Sequence, residues 1–332
     1  MKNRPHPHDL YDFDELDQIP HIKNVSQAEL RPSRHLRPPH KSRPSRAAIQ
    51  AQVAEQDDSR SSLDFTYQAS RHERAWLLES LGYLYEQQWF SDVLRLLKGG
   101  KEASVYLCAA NPLVEAEYLA AKVYRPRRFR NLKNDHLYRE GRPNLDSDGN
   151  VILDGGMQHA MDRRTDYGLL LLHTSWIEHE FQAMKILHAA GADIPVPYVR
   201  GNNAILMRYI GAAELPAPTL NTVNLPARQA HRLFRRVLHN IEVMLAHDLV
   251  HGDLSAYNIL YWGGEITLID FPQVIQPEVN RNAFRIFERD VTRVCEYFAG
   301  QGVRSDPRKI AAGLWASYNH RQSPEVHPAL LE

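Results

Sequence analysis

Cysteine is scarce in this chain: two in 332 residues, Cys108 and Cys295. They lie far apart in apolar surroundings, which reads as two buried structural thiols in a reducing compartment rather than a disulfide. Long hydrophobic runs are missing too. No stretch approaches the roughly 20 apolar residues that cross a bilayer, so no membrane association is expected. The first residues, MKNRPHPHDLYDFDELDQ, hold no apolar core of an export signal, and a cytoplasmic location is the expectation. Neither sign of charge is in excess, since 40 Lys and Arg balance 40 Asp and Glu; that argues against a body built to hold nucleic acid non-specifically. Gly-x-x-x-x-Gly-Lys-Ser/Thr, His-Glu-x-x-His and Cys-x-x-Cys do not occur, which excludes a P-loop enzyme and argues against zinc chemistry. The 17 histidines are scattered and read as surface or capping groups.

What is present is a globular composition, 24% charged and 43% hydrophobic, behind a polar leader. Residues 1–64 read as a basic, proline-rich flexible tail. LRPSRHLRPPHKSRPSR (30–46) carries Arg31, Arg34, Arg37, Lys41, Arg43 and Arg46 and no acid, and it cannot bury enough apolar surface to offset its ordering entropy. It is either a solvated tail or a grip for RNA or a phosphorylated partner. Order is expected over 65–320, followed by a short tail, 321–332. Three-and-four apolar spacing over 71–97 predicts two short helices ending at Gly99-Gly100. ASVYLCAA and YLAAKVY then predict a hairpin. Residues 125–173 lack periodicity, open on the basic RPRRFRNLK and contain the turn sequence LDSDGNVILDGGM; they predict a flexible loop or small inserted substructure. Further along, 175–191 predicts an amphipathic helix with Gly191 just past its end, 204–211 a buried strand, 225–248 a long helix with Pro226 near its start, and ITLID a strand. Two closing helices follow. The pattern is α+β with a small β-rich lobe, about 65–208, joined to a small helical lobe, about 209–320.

Phosphoryl transfer needs a cover for the phosphates, a lysine on them, oxygen ligands for a divalent metal and a group that orients the nucleophile. KGGKEASVY (98–106) sets glycines and small residues between a predicted helix and a strand, where backbone N–H groups can approach phosphate oxygens; by itself it is an ordinary glycine turn. Lys122 lies inside an apolar strand and is costly there unless its ammonium meets an anion; otherwise it snorkels to the surface. Glu180, on the helix IEHEFQAM, can supply a carboxylate to it, with Glu178 the alternative. LVHGDLSAYNIL (249–260) is more specific. Asp253 and Asn258 have the Asp-x-x-x-x-Asn spacing of a kinase catalytic loop, in which Asp accepts the substrate proton and Asn binds metal. Asp270, emerging from the strand ITLI, is a second oxygen ligand suited to magnesium.

At these residues the chain resembles the RIO family of atypical serine/threonine protein kinases, over about residues 70–315. GKEASVY is similar to that family's phosphate loop, VHGDLSAYNIL to its catalytic loop, LIDFPQ to its metal loop, and NAFRIFERDVTRVCEYF to the start of its C-terminal helix. The resemblance implies a two-lobed kinase fold that uses ATP with Mg2+, or Mn2+ in its place, on an unidentified protein substrate. It implies that Gly99, Gly100, Lys101, Glu102, Ala103, Ser104 and Val105 cover the phosphates, with Lys122 on them and Glu180 anchoring Lys122. It implies Asp253 as base and Asn258 and Asp270 as metal ligands. Met207 would guard the adenine pocket, with backbone groups of Arg208 and Ile210 on the ring. Asp270 is also implied as a phosphate acceptor in an ATPase cycle, and the insert as a place of self-phosphorylation; the family setting implies ribosome maturation. Three features depart from the pattern. Arg208 stands where an acid is common, Phe-Pro-Gln follows Asp270, and no Ala-Pro-Glu segment of a peptide platform follows. A small-molecule phosphotransferase of the antibiotic- or choline-kinase kind shares the His-Gly-Asp logic and is the rival enzyme. A nucleotide-binding scaffold without turnover is the rival binding protein.

Overall fold

A computed structural model describes residues 63–125, 138 and 140–322. The tail expected over 1–64 lies, up to residue 62, outside the described residues, as do most of RPRRFRNLK and the end of the chain from residue 323.

Helix α1 (Arg71–Glu86) starts at Ser70, whose hydroxyl accepts the Glu73 N–H, and it buries Leu77, Leu81 and Leu84. Strands β1 (Phe90–Lys98), β2 (Ala103–Ala110) and β3 (Tyr118–Tyr124) follow as an antiparallel meander. The second helix expected before Gly99 is therefore β1. Its pairing with β2 slips at Phe90/Asp92, Val93/Arg95 and Leu96/Lys98. Each irregularity breaks the two-residue alternation of a strand, and what is left in the sequence imitates helical spacing.

Part of the insert has its own structure. Leu145 and Val151 pair across a turn in which Asp146 Oδ1 accepts the N–H groups of Asp148 and Asn150 at 2.8 and 2.9 Å. Helix α2 (Gly155–Asp162) then leads into α3 (Asp166–Ala189). Helix α3 begins before the expected residue 175, with Thr165 capping the Gly168 N–H at 3.1 Å. Strands β4 (Pro197–Arg200) and β5 (Ala204–Arg208) complete a five-stranded sheet in the order β1-β2-β3-β5-β4.

Alternation divides this sheet cleanly. Tyr106, Cys108, Leu119, Ala121, Val123 and Leu206 pack with the leucines of α1 in one cluster. Leu107, Ala120, Tyr124, Ile205 and Met207 face the other way and join α3 and the second lobe in a larger one. Both cysteines are buried and free. The central strand β3 is covered on both faces and is apolar between its tyrosines, with Lys122 the exception on the second face.

The second lobe is mainly helical. Helix α4 (Ala227–Ala246) buries Leu233, Phe234, Val237, Ile241, Met244 and Leu245 at three-and-four spacing. The hairpin β6 (Ile259–Trp262) and β7 (Glu265–Leu268) turns at Gly263-Gly264, with φ of 58 and 90°, a two-residue turn open to glycine. Helices α5 (Ala283–Gly300) and α6 (Pro307–Gln322) close the lobe. The chain thus has the two-lobed α+β architecture.

Candidate active site

Lys122 sits mid-strand, opposite Val105 on β2 and Ile205 on β5. Its side chain shares the face of Ala120 and Tyr124, beneath which α3 runs. Lys122 Nζ donates to Glu180 Oε1 at 2.5 Å and to Asp270 Oδ1 at 2.6 Å. Glu180 is 1% exposed; it also accepts the Tyr124 hydroxyl at 2.8 Å and the Phe271 N–H at 3.3 Å. Glu178 points elsewhere, into an ion pair with Arg200 at 2.5 Å. One helical turn thus sends one glutamate to the cleft and the other to β4. Burial opposes charge on Lys122, yet Asp270 and Glu180 together raise its pKa above that of an ordinary lysine. The same contact works in reverse on Asp270: desolvation by the surrounding protein raises its pKa, although 46% of the side chain stays exposed, and the adjacent ammonium outweighs this and holds the carboxyl below its usual value.

Asp270 has φ of 73°, a left-handed conformation that asparagine and aspartate tolerate better than other side chains. That turn aims the carboxylate back at Lys122 as the chain leaves β7.

The loop between α4 and β6 lies alongside. Val250 and Ile275 exchange both backbone hydrogen bonds, at 3.0 and 2.9 Å, so the loops carrying Asp253 and Asp270 run side by side. His251 is buried; its Nδ1 accepts the Asp253 N–H at 3.3 Å, which leaves Nε2 to donate to Ile269 O at 3.2 Å. Gly252 N–H donates to Asp290 Oδ2 at 2.9 Å. Asp290 is buried on α5, and that burial raises its pKa despite the positive groups around it. Asn258 Nδ2 donates to the Asp253 carbonyl at 2.9 Å and approaches Asp253 Oδ2 at 3.4 Å.

Between the lobes Lys122, Glu180, Asp253 and Asp270 border a cleft of about 500 Å³. Val105, Ala120, Met207, Leu260 and Ile269 give it apolar walls, while Lys122, Glu180, Asp253 and Asp270 stand at its polar end. A slot with apolar walls and few polar groups is the usual form of a small-molecule site. Gly100, Lys101, Glu102, Ala103 and Val105 line it from above, and Arg208 and Ile210 line the hinge side. At the hinge, Arg208 N–H is already given to Val196 O, and Ile210 O accepts from Ala217 N–H. Gly99 and Asn258 are not on the cleft wall; Asn258 meets the site through Asp253. Ser104 is fully buried. It pairs with Val123, one place out of phase with Lys122, so its side chain lies on the α1 face and only its backbone belongs to the turn above the cleft.

The donor set fits a hard divalent cation. Asn258 spends its amide nitrogen on the Asp253 carbonyl, which leaves its side-chain oxygen as the acceptor end. Asp270 has one oxygen on Lys122 and a second one besides, and its side chain is 46% exposed. One carboxylate and one amide oxygen are what magnesium takes from a protein when phosphates and water supply the rest. Among the described residues, no group of three or more His, Cys, Asp or Glu forms a metal cage.

Some of the site carries little sequence signal. Leu260 and Ile269, the apolar floor, flank the motif residues and follow from alternation along β6 and β7. Arg293 gives no such hint. Its Nη1 donates to Asp253 Oδ1 at 2.7 Å from α5, with no spacing rule linking the two positions.

The RIO domain family profile matches residues 153–310. The RIO-type serine/threonine-protein kinase Rio1 of Thermoplasma acidophilum is 30% identical over 135 residues, covering 41% of this chain and 69% of that one. Rio1 of Haloferax volcanii is 28% identical over 213 residues, covering 62% and 63%. The human serine/threonine-protein kinase RIO1 is 30% identical over 130 residues, which is 39% of this chain and 23% of the human one. The chain therefore matches about a quarter of the length of that human relative.

Proposed function

Because this chain belongs to the RIO domain family, we propose that it is an ATP- and magnesium-dependent phosphotransferase of RIO type, acting on a serine or threonine hydroxyl of a protein. The observation that carries this reading is the meeting of Lys122 and Asp270, from opposite lobes, at the polar end of a cleft that also holds Asp253, with Asn258 behind it on Asp253.

In this reading the apolar walls take the adenine and the turn at residues 99–105 covers the phosphates with backbone N–H groups. Lys122, held in place by Glu180, sets its ammonium against the phosphate oxygens. Bound between Asn258 and Asp270, magnesium (or manganese) would neutralise charge on the phosphates. Asp253 receives the acceptor's proton as the new O–P bond forms and the bond to the departing diphosphate breaks. Because such transition states are loose, most of the rate comes from alignment and charge placement. The loop from residue 269 to 282 is short and passes directly into α5, and among the described residues no helical insert near the C-terminal end offers a small-molecule acceptor pocket. That supports a protein acceptor over the antibiotic- or choline-kinase alternative.

Incubation with γ-labelled ATP and Mg2+, alone and with ribosomal fractions, tests the proposal. The expected result is acid-stable label on the protein or on a co-incubated one, with Asp253→Ala losing about a hundredfold in rate and keeping its nucleotide affinity. Label removed by hydroxylamine would instead place the phosphate on Asp270 as an acyl phosphate of an ATPase cycle. No label and no nucleotide consumption would leave the scaffold reading. Deleting residues 30–46 tests whether the basic tail contributes ribosomal or RNA contact, read as loss of co-sedimentation with those fractions.

A further inference from the structure

Helix α5 holds the catalytic loop at three successive polar points. Asp290 accepts the Gly252 N–H at 2.9 Å. Arg289 donates to the Gly252 carbonyl, to Asp290 at 3.1 Å and to the Tyr138 hydroxyl at 2.9 Å. One turn further on, Arg293 Nη1 meets Asp253 Oδ1 at 2.7 Å. The first two contacts fix the backbone of the residue before the base. The third reaches the side-chain atom itself.

The pair is poorly placed to stabilise the fold. Arg293 and Asp253 side chains are 40% and 39% exposed, and ion pairs that wet add little, about 0–1 kcal/mol. For orientation the contact matters far more. The terminal torsion of an aspartate is broad and roughly two-fold, so an untethered carboxylate samples many angles. With Oδ1 on Arg293 and Oδ2 beside Asn258 Nδ2 at 3.4 Å, the carboxylate plane is fixed and Oδ2 is the oxygen free to face an acceptor hydroxyl. A guanidinium donates along fixed directions, and here it sets an angle as well as a distance.

We propose that Arg293 is a positioning residue for phosphoryl transfer, which locks the Asp253 carboxylate so that Oδ2 points at the acceptor. The inference rests on the reading of Asp253 as the base. It is tested on the full chain with Arg293→Ala and Arg293→Lys. For Arg293→Ala, kcat should fall about 10- to 100-fold, in line with the effect of an ångström-scale misplacement. KM for ATP should stay within about twofold, as uniform nucleotide binding is untouched, and thermal stability should barely move. Arg293→Lys should restore part of kcat, since an ammonium can reach one oxygen without fixing the plane.

An unchanged kcat would overturn the proposal. So would a raised one, which would make Arg293 a shield over the base, and so would parallel losses of kcat, nucleotide affinity and melting temperature, which would make its role structural. The side-chain carboxyl 13C resonance of Asp253 gives a readout that does not need turnover. It should shift in Arg293→Ala, and no change there would overturn the proposal even if no transfer is detected. Absence of turnover in the unmodified chain, by contrast, would refute the kinase reading and not this contact.

Discussion

Gly252→Ala is the substitution whose effect can be worked out most fully from the geometry. Gly252 has φ of 82°, and a Cβ built there falls 2.0 Å from the Gln273 carbonyl oxygen and 2.8 Å from its carbon. Ordinary contact begins at 3.4 Å, so the loop carrying Gln273 must retreat by the difference, about 1.4 Å, or the loop carrying Gly252 must give way. The left-handed backbone alone costs alanine about 1–2 kcal/mol, and crowding of this kind about 1–3 kcal/mol more. A combined loss of about 2–5 kcal/mol is a large share of the roughly 5–15 kcal/mol of a typical domain, and at about 2–4 °C per kcal/mol it lowers the melting temperature by on the order of 10 °C. Gly264→Ala is the matched control. Its φ is 90°, but its nearest neighbour is Arg232 Nη2 at 3.8 Å, so it carries the backbone cost without the collision and should lose only a few degrees. Differential scanning calorimetry of both variants, with labelled-ATP transfer measured below either transition, separates the two contributions. Transfer in Gly252→Ala should fall about a hundredfold, because the displaced carbonyl follows Asp270 closely in the chain. If Gly252→Ala melts within about 2 °C of Gly264→Ala, the close approach of the two loops is not what holds the site.

Three further outcomes follow from the buried carboxylates. Glu180→Gln should weaken nucleotide binding and reduce transfer by at least about tenfold, while Glu178→Gln should mainly lower stability, since its partner is Arg200 on β4; equal losses of nucleotide affinity, by fluorescence titration, would contradict that division. Removing one partner from a buried pair costs about 3–5 kcal/mol when the other is stranded, and Lys122 keeps Asp270, so Glu180→Gln should fall below that range in denaturant melts. Tyr106→Phe should cost about 1–3 kcal/mol, because the Tyr106 hydroxyl donates at 2.7 Å to Glu73, a carboxylate only 5% exposed; an unchanged urea midpoint would show that Tyr67, at 3.1 Å, suffices.

The sequence made some of this legible for physical reasons. The hairpin carrying Lys122 stands out because a β-branched and aromatic alternation surrounds a lone cation. Helix α4 is legible from unbroken three-and-four spacing behind Pro226. The loops at 253–258 and 270 are legible because the proposed metal and base roles restrict both residue type and spacing. Strand β1 was hidden by its bulges. The first turns of α3 were hidden by the run Leu169–Leu172, which has no period, and by Gly168, an unfavourable helix residue. The burial of Ser104 depends on hairpin register, which strand composition does not set. Arg293 is a tertiary contact, invisible to any pattern confined to neighbouring positions. The choice between Glu178 and Glu180 likewise needed the direction in which α3 faces the sheet.

The double engagement of Lys122 has a consequence for how ligands come and go. Its side chain is 11% exposed and its ammonium already meets one carboxylate from each side of the crevice. In the proposed reading an arriving phosphate would exchange with Asp270 instead of rescuing a stranded cation, and Asp270 would resume its place when the ligand departs. Glu180, deep in the first lobe, would keep its grip throughout. Affinity would be moderated by that exchange, and release would leave behind no buried charge without a counter-ion.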